Sequence, residues 1–125
     1  MTNTGFTDEQ KAGIHMRDGG RCVLCGAKST EANHRLNRGI GGRPSLNTTA
    51  NGCALCTTCN RGIEADPLYA EFARYRGVKL REGDDPEGTP YWSPFFRLWI
   101  QPVAEHAELL VLEPAIDFEE WRAAA

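Results

Sequence analysis

No run of this sequence is apolar for long enough to span a membrane. Its first residues, MTNTGFTDEQKAG, lack the basic-then-apolar pattern of an export signal. Internal repeats are absent as well. These absences predict a cytoplasmic protein with no membrane partner. Five cysteines, an odd number, in such a chain argue against a disulfide framework and for reduced thiols that bind metal. Wholesale disorder is excluded by composition, which is 41% hydrophobic and 25% charged. With 125 residues there is room for one domain with a modest core, near the size at which a staple is useful.

The middle of the chain lacks acidic residues. Between Ala32 and Ile63 there is none, while Arg35, Arg38, Arg43 and Arg61 all fall there. The net charge of −3 conceals a wider division. Residues 1–81 carry 12 Lys or Arg against 7 Asp or Glu, whereas residues 82–125 carry 2 against 10. A polyanion such as nucleic acid would have to bind the first part, and the acidic tail should moderate that binding.

Local signals predict an α+β chain. Thr7 followed by Asp8, Glu9 and Gln10 reads as a helix N-cap, and the helix stops at Gly19 and Gly20. ANHRL (32–36) and NGCALC (51–56) read as strands flanking a loop rich in glycine, from 37 to about 49. TCNRGIEADP fits a short helix ending before Pro67, and PLYAEFARYRG a second one closed by Gly77. Near residue 81 the composition changes. REGDDPEGTP is a turn-rich acidic linker, FFRLWI and ELLVLEP alternate weakly as strands, and FEEWRAAA is a terminal helical turn. We divide the chain into residues 1–81 and an acidic, aromatic extension, residues 82–125.

Cys22-x-x-Cys25 and Cys56-x-x-Cys59 are two turn-forming knuckles, each offering two thiolates, and together they make the tetrahedron that zinc accepts. Cys53-x-x-Cys56 has the same spacing and is a rival second knuckle. Cys53 lies in an apolar strand where a small buried thiol is ordinary, which favours Cys56 and Cys59. Four ligands close the site, so the zinc is structural. It clamps the ends of residues 22–59 and holds what lies between them as a rigid loop and hairpin.

Inside the clamp, His34 has the side chain suited to take a proton from water near neutral pH. Asn60 directly follows a zinc knuckle, and its amide oxygen is a hard donor of the kind Mg2+ accepts. Glu64 lies four residues later, on the same helical face. Gly39, Gly41 and Gly42 let backbone approach a phosphate closely. Asn47-Thr48-Thr49 matches a glycosylation acceptor, an accidental match in a reduced, zinc-bearing protein.

The order Cys22-x-x-Cys25, Asn33-His34, Arg38-Gly39-x-Gly41-Gly42, Asn51, Leu55-Cys56-x-x-Cys59-Asn60 resembles the HNH endonucleases, particularly the small versions common in bacterial viruses. The resemblance covers residues 18 to about 75. It implies a ββα-metal core beside a zinc-stapled frame, with His34 as general base and Asn51 holding the loop that carries it. It further implies a catalytic Mg2+ or Mn2+ ligated by Asn60 and, at the position before the base, Asn33; Glu64, on the helical face of Asn60, could present a carboxylate to the same cation. Arg35, Arg38, Arg43 and Arg61 would contact the DNA backbone. The chain departs from the family at Asn33, where Asp or His is usual and where a neutral amide is the weaker ligand. The function expected is metal-dependent hydrolysis of DNA phosphodiester bonds, leaving 5′-phosphate and 3′-hydroxyl ends. The alternatives are a zinc-stapled nucleic-acid-binding module without catalysis and an adaptor that binds protein through its tail. Cutting both strands would favour a homodimer or a partner enzyme engaged through the extension.

Overall fold

The computed structural model describes residues 5–37, 44–103, 106–110 and 118–124. Helix α1 spans Asp8–Arg17. Its start is fixed by a capping box: Thr7 Oγ1 accepts from Gln10 N at 3.0 Å, and Gln10 Oε1 accepts from Thr7 N at 3.0 Å. Asp8 and Glu9 in the first turn complement the helix dipole. The chain leaves α1 through Gly19 and Gly20, both at positive φ (69° and 70°), a conformation that glycine adopts without strain.

Strands β1 (Glu31–His34) and β2 (Gly52–Leu55) form an antiparallel pair. The register sets Glu31 opposite Leu55, Ala32 opposite Ala54, Asn33 opposite Cys53 and His34 opposite Gly52. Residues directly opposite each other share a face. Ala32, His34, Gly52 and Ala54 therefore face α1, where Phe6, Ile14 and Ala54 form a small cluster. The contact is close because position 52 is glycine: a Cβ there would lie 2.2 Å from Ile14 Cδ1. The opposite face, with Cys53 and Leu55, enters the main core beside Cys22, Phe72, Tyr91 and Ile100.

One residue after β2, helix α2 (Thr57–Ala65) begins and lays Cys59 and Ile63 on that main core. Asp66 ends α2 and caps α3 (Pro67–Tyr75) by accepting from Leu68 N at 3.0 Å, while Pro67 takes the first helical position, where a missing N–H is harmless. Beyond α3 a three-stranded antiparallel meander runs β3 (Tyr91–Ser93), β4 (Leu98–Val103), β5 (His106–Leu110). Helix α4 (Phe118–Ala124) sets Trp121 against Phe72, ring centroids 5.7 Å apart.

The chain is thus α+β, with two small antiparallel sheets among the described residues. Strand β3 is not foreseen in the sequence, and Phe95 and Phe96, read as the start of a strand, lie instead in the exposed turn before β4. The composition change near residue 81 is crossed by packing: Tyr91 and Ile100 share a core with Cys22, and Trp92 N donates to Arg76 O at 2.9 Å.

Candidate metal centre and hairpin site

Cys22, Cys25, Cys56 and Cys59 bring their sulfurs within 4.8 Å of one another. The Cys25 and Cys56 sulfurs are 3.7 Å apart. A tetrahedron with Zn–S bonds of ~2.3 Å has edges of about 3.8 Å, so the cluster fits zinc as four thiolates require. Backbone turns aim the ligands. Ala27 N donates to Cys25 Sγ at 3.5 Å, and Cys59 N donates to Cys56 Sγ at 3.4 Å. Gly26, at φ 80°, closes the first knuckle. The thiols compete for protons. The Cys59 hydrogen bond pushes Cys22 down to about 5, and the same bond, with burial, pushes Cys59 up. A cation that replaces those protons relieves the competition. Tyr69 adds a hydroxyl 2.8 Å from Cys59 Sγ, and burial, with that sulfur, holds its phenol protonated as a donor.

Cys53 stands outside the cluster. Its side chain is fully buried, its sulfur is 3.9 Å from Val78 O, and burial pushes its thiol up to about 12. The rival knuckle is thereby removed.

His34 closes β1 on the α1 face. Its ring stacks on Phe6 with centroids 4.1 Å apart and planes 10° from parallel. Its Nε2 meets Asn47 Oδ1 at 2.9 Å. With Nε2–H donating to that oxygen, the ring lone pair is on Nδ1. Asn47 is itself held by α1, because Gln10 Nε2 donates to Asn47 O at 2.9 Å. Sequence reading missed this role, for the asparagine looked like part of a stray glycosylation match. Asn51, fully buried, accepts from Leu36 N at 2.8 Å and donates to Leu36 O at 3.1 Å and Leu46 O at 3.0 Å. One amide thus ties the segment after His34 to the turn before β2.

Arg35 overturns an expectation. It is 1% exposed, so it does not reach a DNA backbone. Its guanidinium donates to the carbonyls of Gly77 (2.9 Å), Ala50 (3.1 Å), Pro86 (2.8 Å) and Thr89 (2.6 Å). Burial pushes it down to about 10, which leaves it charged at neutral pH. Beside it lies a buried network absent from the sequence reading. Asp18 accepts from Tyr91 OH at 2.5 Å, from Ala54 N at 2.9 Å and from Arg17, whose other bonds reach Thr49 O and Gly52 O at 2.7 Å. Both arginines lie about 5 Å from the Tyr91 ring centroid, at 5.1 and 5.2 Å. No local motif marks these partners, because Asp18 and Tyr91 are 73 residues apart.

Of the other site candidates, Asn33 lies on the α2 face of the hairpin and uses its amide nitrogen on His34 O at 3.2 Å, so its oxygen is the atom it offers. Asn60 is half-buried on α2, while Glu64 and Arg61 are exposed. Arg38 and Arg43, with Gly39, Gly41 and Gly42, lie outside the described residues. Among the described residues, no other group of three or more His, Cys, Asp or Glu side chains converges, and no helix is long and apolar enough to cross a membrane. No protein-family profile, curated protein or solved structure matches the chain.

Proposed function

We propose that the protein is a metal-dependent endonuclease that hydrolyses DNA phosphodiester bonds, built on a ββα-metal core of the HNH type. The observation that carries this reading is the succession β1, β2, α2 around His34, with the imidazole at a strand end, its tautomer set by Asn47 and its following segment pinned by Asn51. The four-cysteine cluster supports it, since zinc there fixes the start of α2 and thus the direction of Asn60.

His34 Nδ1 takes a proton from water as the water oxygen attacks phosphorus. The bond to the 3′-oxygen breaks, that oxygen takes a proton from solvent to leave as a hydroxyl, and the phosphate stays on the 5′ side. Asn33 and Asn60 offer amide oxygens to a Mg2+ or Mn2+ ion, and Glu64 a carboxylate. When bound, such an ion would supply positive charge against the phosphate and the leaving oxygen. Arg61, exposed on α2, and Arg38 and Arg43 would hold the DNA backbone without reading its sequence. Cutting both strands with one such site per chain calls for a second copy or a partner enzyme, and the extension carrying the exposed Phe95 and Phe96 is where we place that contact.

Supercoiled plasmid incubated with zinc-loaded protein tests the reading, with Mg2+, with Mn2+ and with no divalent ion added. Nicking should require the added ion and fall by roughly 100-fold or more in His34→Ala, with zinc content and DNA affinity retained. Absence of nicking with every ion, or a His34→Ala protein that nicks like its parent, sinks the proposal. Salt-dependent DNA binding without nicking would instead favour the non-catalytic module that the neutral Asn33 suggests.

A further inference from the structure

A carboxylate oxygen on the hairpin is left without a partner. Glu31 Oε2 is buried and accepts no hydrogen bond, and no ion pair reaches Glu31 among the described residues. Glu31 as a whole is half-buried, so only this oxygen is turned into the hairpin, where a donor or a cation would offset its desolvation.

The register says what lies around it. Glu31 is opposite Leu55 and Asn33 is opposite Cys53, so the two side chains share the face that Cys53 and Leu55 turn toward α2. Two residues along a strand are separated by ~7 Å, a gap that a Glu and an Asn side chain close around one cation. The start of α2 is held against this end of β1, where Thr30 Oγ1 and Thr57 Oγ1 are 3.2 Å apart. Asn60 sits one turn further along that helix. Asn33 and Asn60 are neutral donors, and hard divalent cations favour at least one carboxylate. Glu64, the carboxylate read above, is exposed on α2, whereas Glu31 turns a buried carboxylate oxygen onto the face it shares with Asn33.

We propose that Glu31 is a carboxylate ligand of a Mg2+ or Mn2+ ion held on the Asn33 face of the hairpin beneath α2. The proposal rests on the divalent-ion site read above and adds a ligand to it. Glu31, two positions before the neutral amide, then supplies the charge that Asn33 lacks.

Mn2+ binding to zinc-loaded protein, followed by electron paramagnetic resonance, tests this without reference to activity. The parent should bind one Mn2+, and Glu31→Gln, which keeps shape and removes charge, should weaken binding tenfold or more while zinc content and circular dichroism stay unchanged. A second readout uses the parent alone: substoichiometric Mn2+ should broaden the nuclear magnetic resonance signals of Glu31, Asn33 and Asn60 before others. Unchanged Mn2+ affinity in Glu31→Gln, a sharp Glu31 signal beside a broadened Asn60, or a parent that binds no Mn2+ would each overturn the assignment and leave a proton or a water as the partner of Oε2. Plasmid nicking in parallel separates the two readings. Nicking whose metal dependence ignores Glu31→Gln removes Glu31 alone, whereas Glu31-dependent Mn2+ binding without nicking removes the nuclease and keeps the site.

Discussion

Asn47 holds the His34 ring through a 2.9 Å bond at Nε2. Replacing it by a carboxylate keeps the geometry and adds charge. Asn47→Asp should favour the imidazolium form, so the acid limb of the cleavage rate should move to higher pH while the plateau rate changes little. A rate–pH profile of the two proteins checks this, and coincident acid limbs would dissociate Asn47 from the base. At this scale the sequence was legible where chemistry is local. Paired cysteines declare themselves by type and spacing. Arg35 was misread because an arginine beside a histidine in an acid-free stretch looks like a phosphate contact, and its real partners are carbonyls 15 to 54 positions away. Distant carbonyls carry no signature in side-chain type.

Among the elements, Gly52 sets how closely α1 lies on the hairpin. Gly52→Ala would drive a methyl group into Ile14 and displace the helix that carries Gln10, with Phe6 just before it, away from the His34 region. The overpacking should cost about 1–3 kcal/mol, read as a lower denaturation midpoint, and nicking should fall with it although zinc is retained. A variant as stable as its parent would mean that α1 slides freely. Helices were legible because their ends are punctuated: Thr7 and Gln10 close the capping box, and Asp66-Pro67 ends one helix and begins the next. Strand β3 was not, since three residues give too short an alternation. The Phe95-Phe96 pair drew the strand reading to itself, though Arg97 at φ 57° turns the chain there.

For the molecule as a whole, the four-cysteine cluster, which could hold zinc, and the extension are both structural supports. Cys59→Ser should lose zinc and cooperative folding, because a tetrahedral site missing a thiolate forfeits much of its ~10–16 kcal/mol. Cys53→Ala should keep zinc and lose about 1 kcal/mol of packing, so metal analysis and circular dichroism of the pair should diverge. Ending the chain at residue 81 removes Tyr91 and Ile100 from the main core and two of the carbonyls that hold Arg35. That fragment should show no cooperative melting transition, and a sharp one would establish residues 1–81 as self-sufficient. The division of charge between the two parts was readable from composition. Their shared core was not, because composition says nothing about which apolar residues meet.

The bonds from Arg35 to Pro86 and Thr89 also set a timetable. A chain made from its N-terminus at ~5–20 residues per second exposes His34 seconds before those carbonyls emerge. Until they do, the charged group next to the histidine has no interior to enter, and Asp18 awaits Tyr91. On the nuclease reading proposed above, the nascent chain therefore carries its cutting residues unassembled until Tyr91 has emerged.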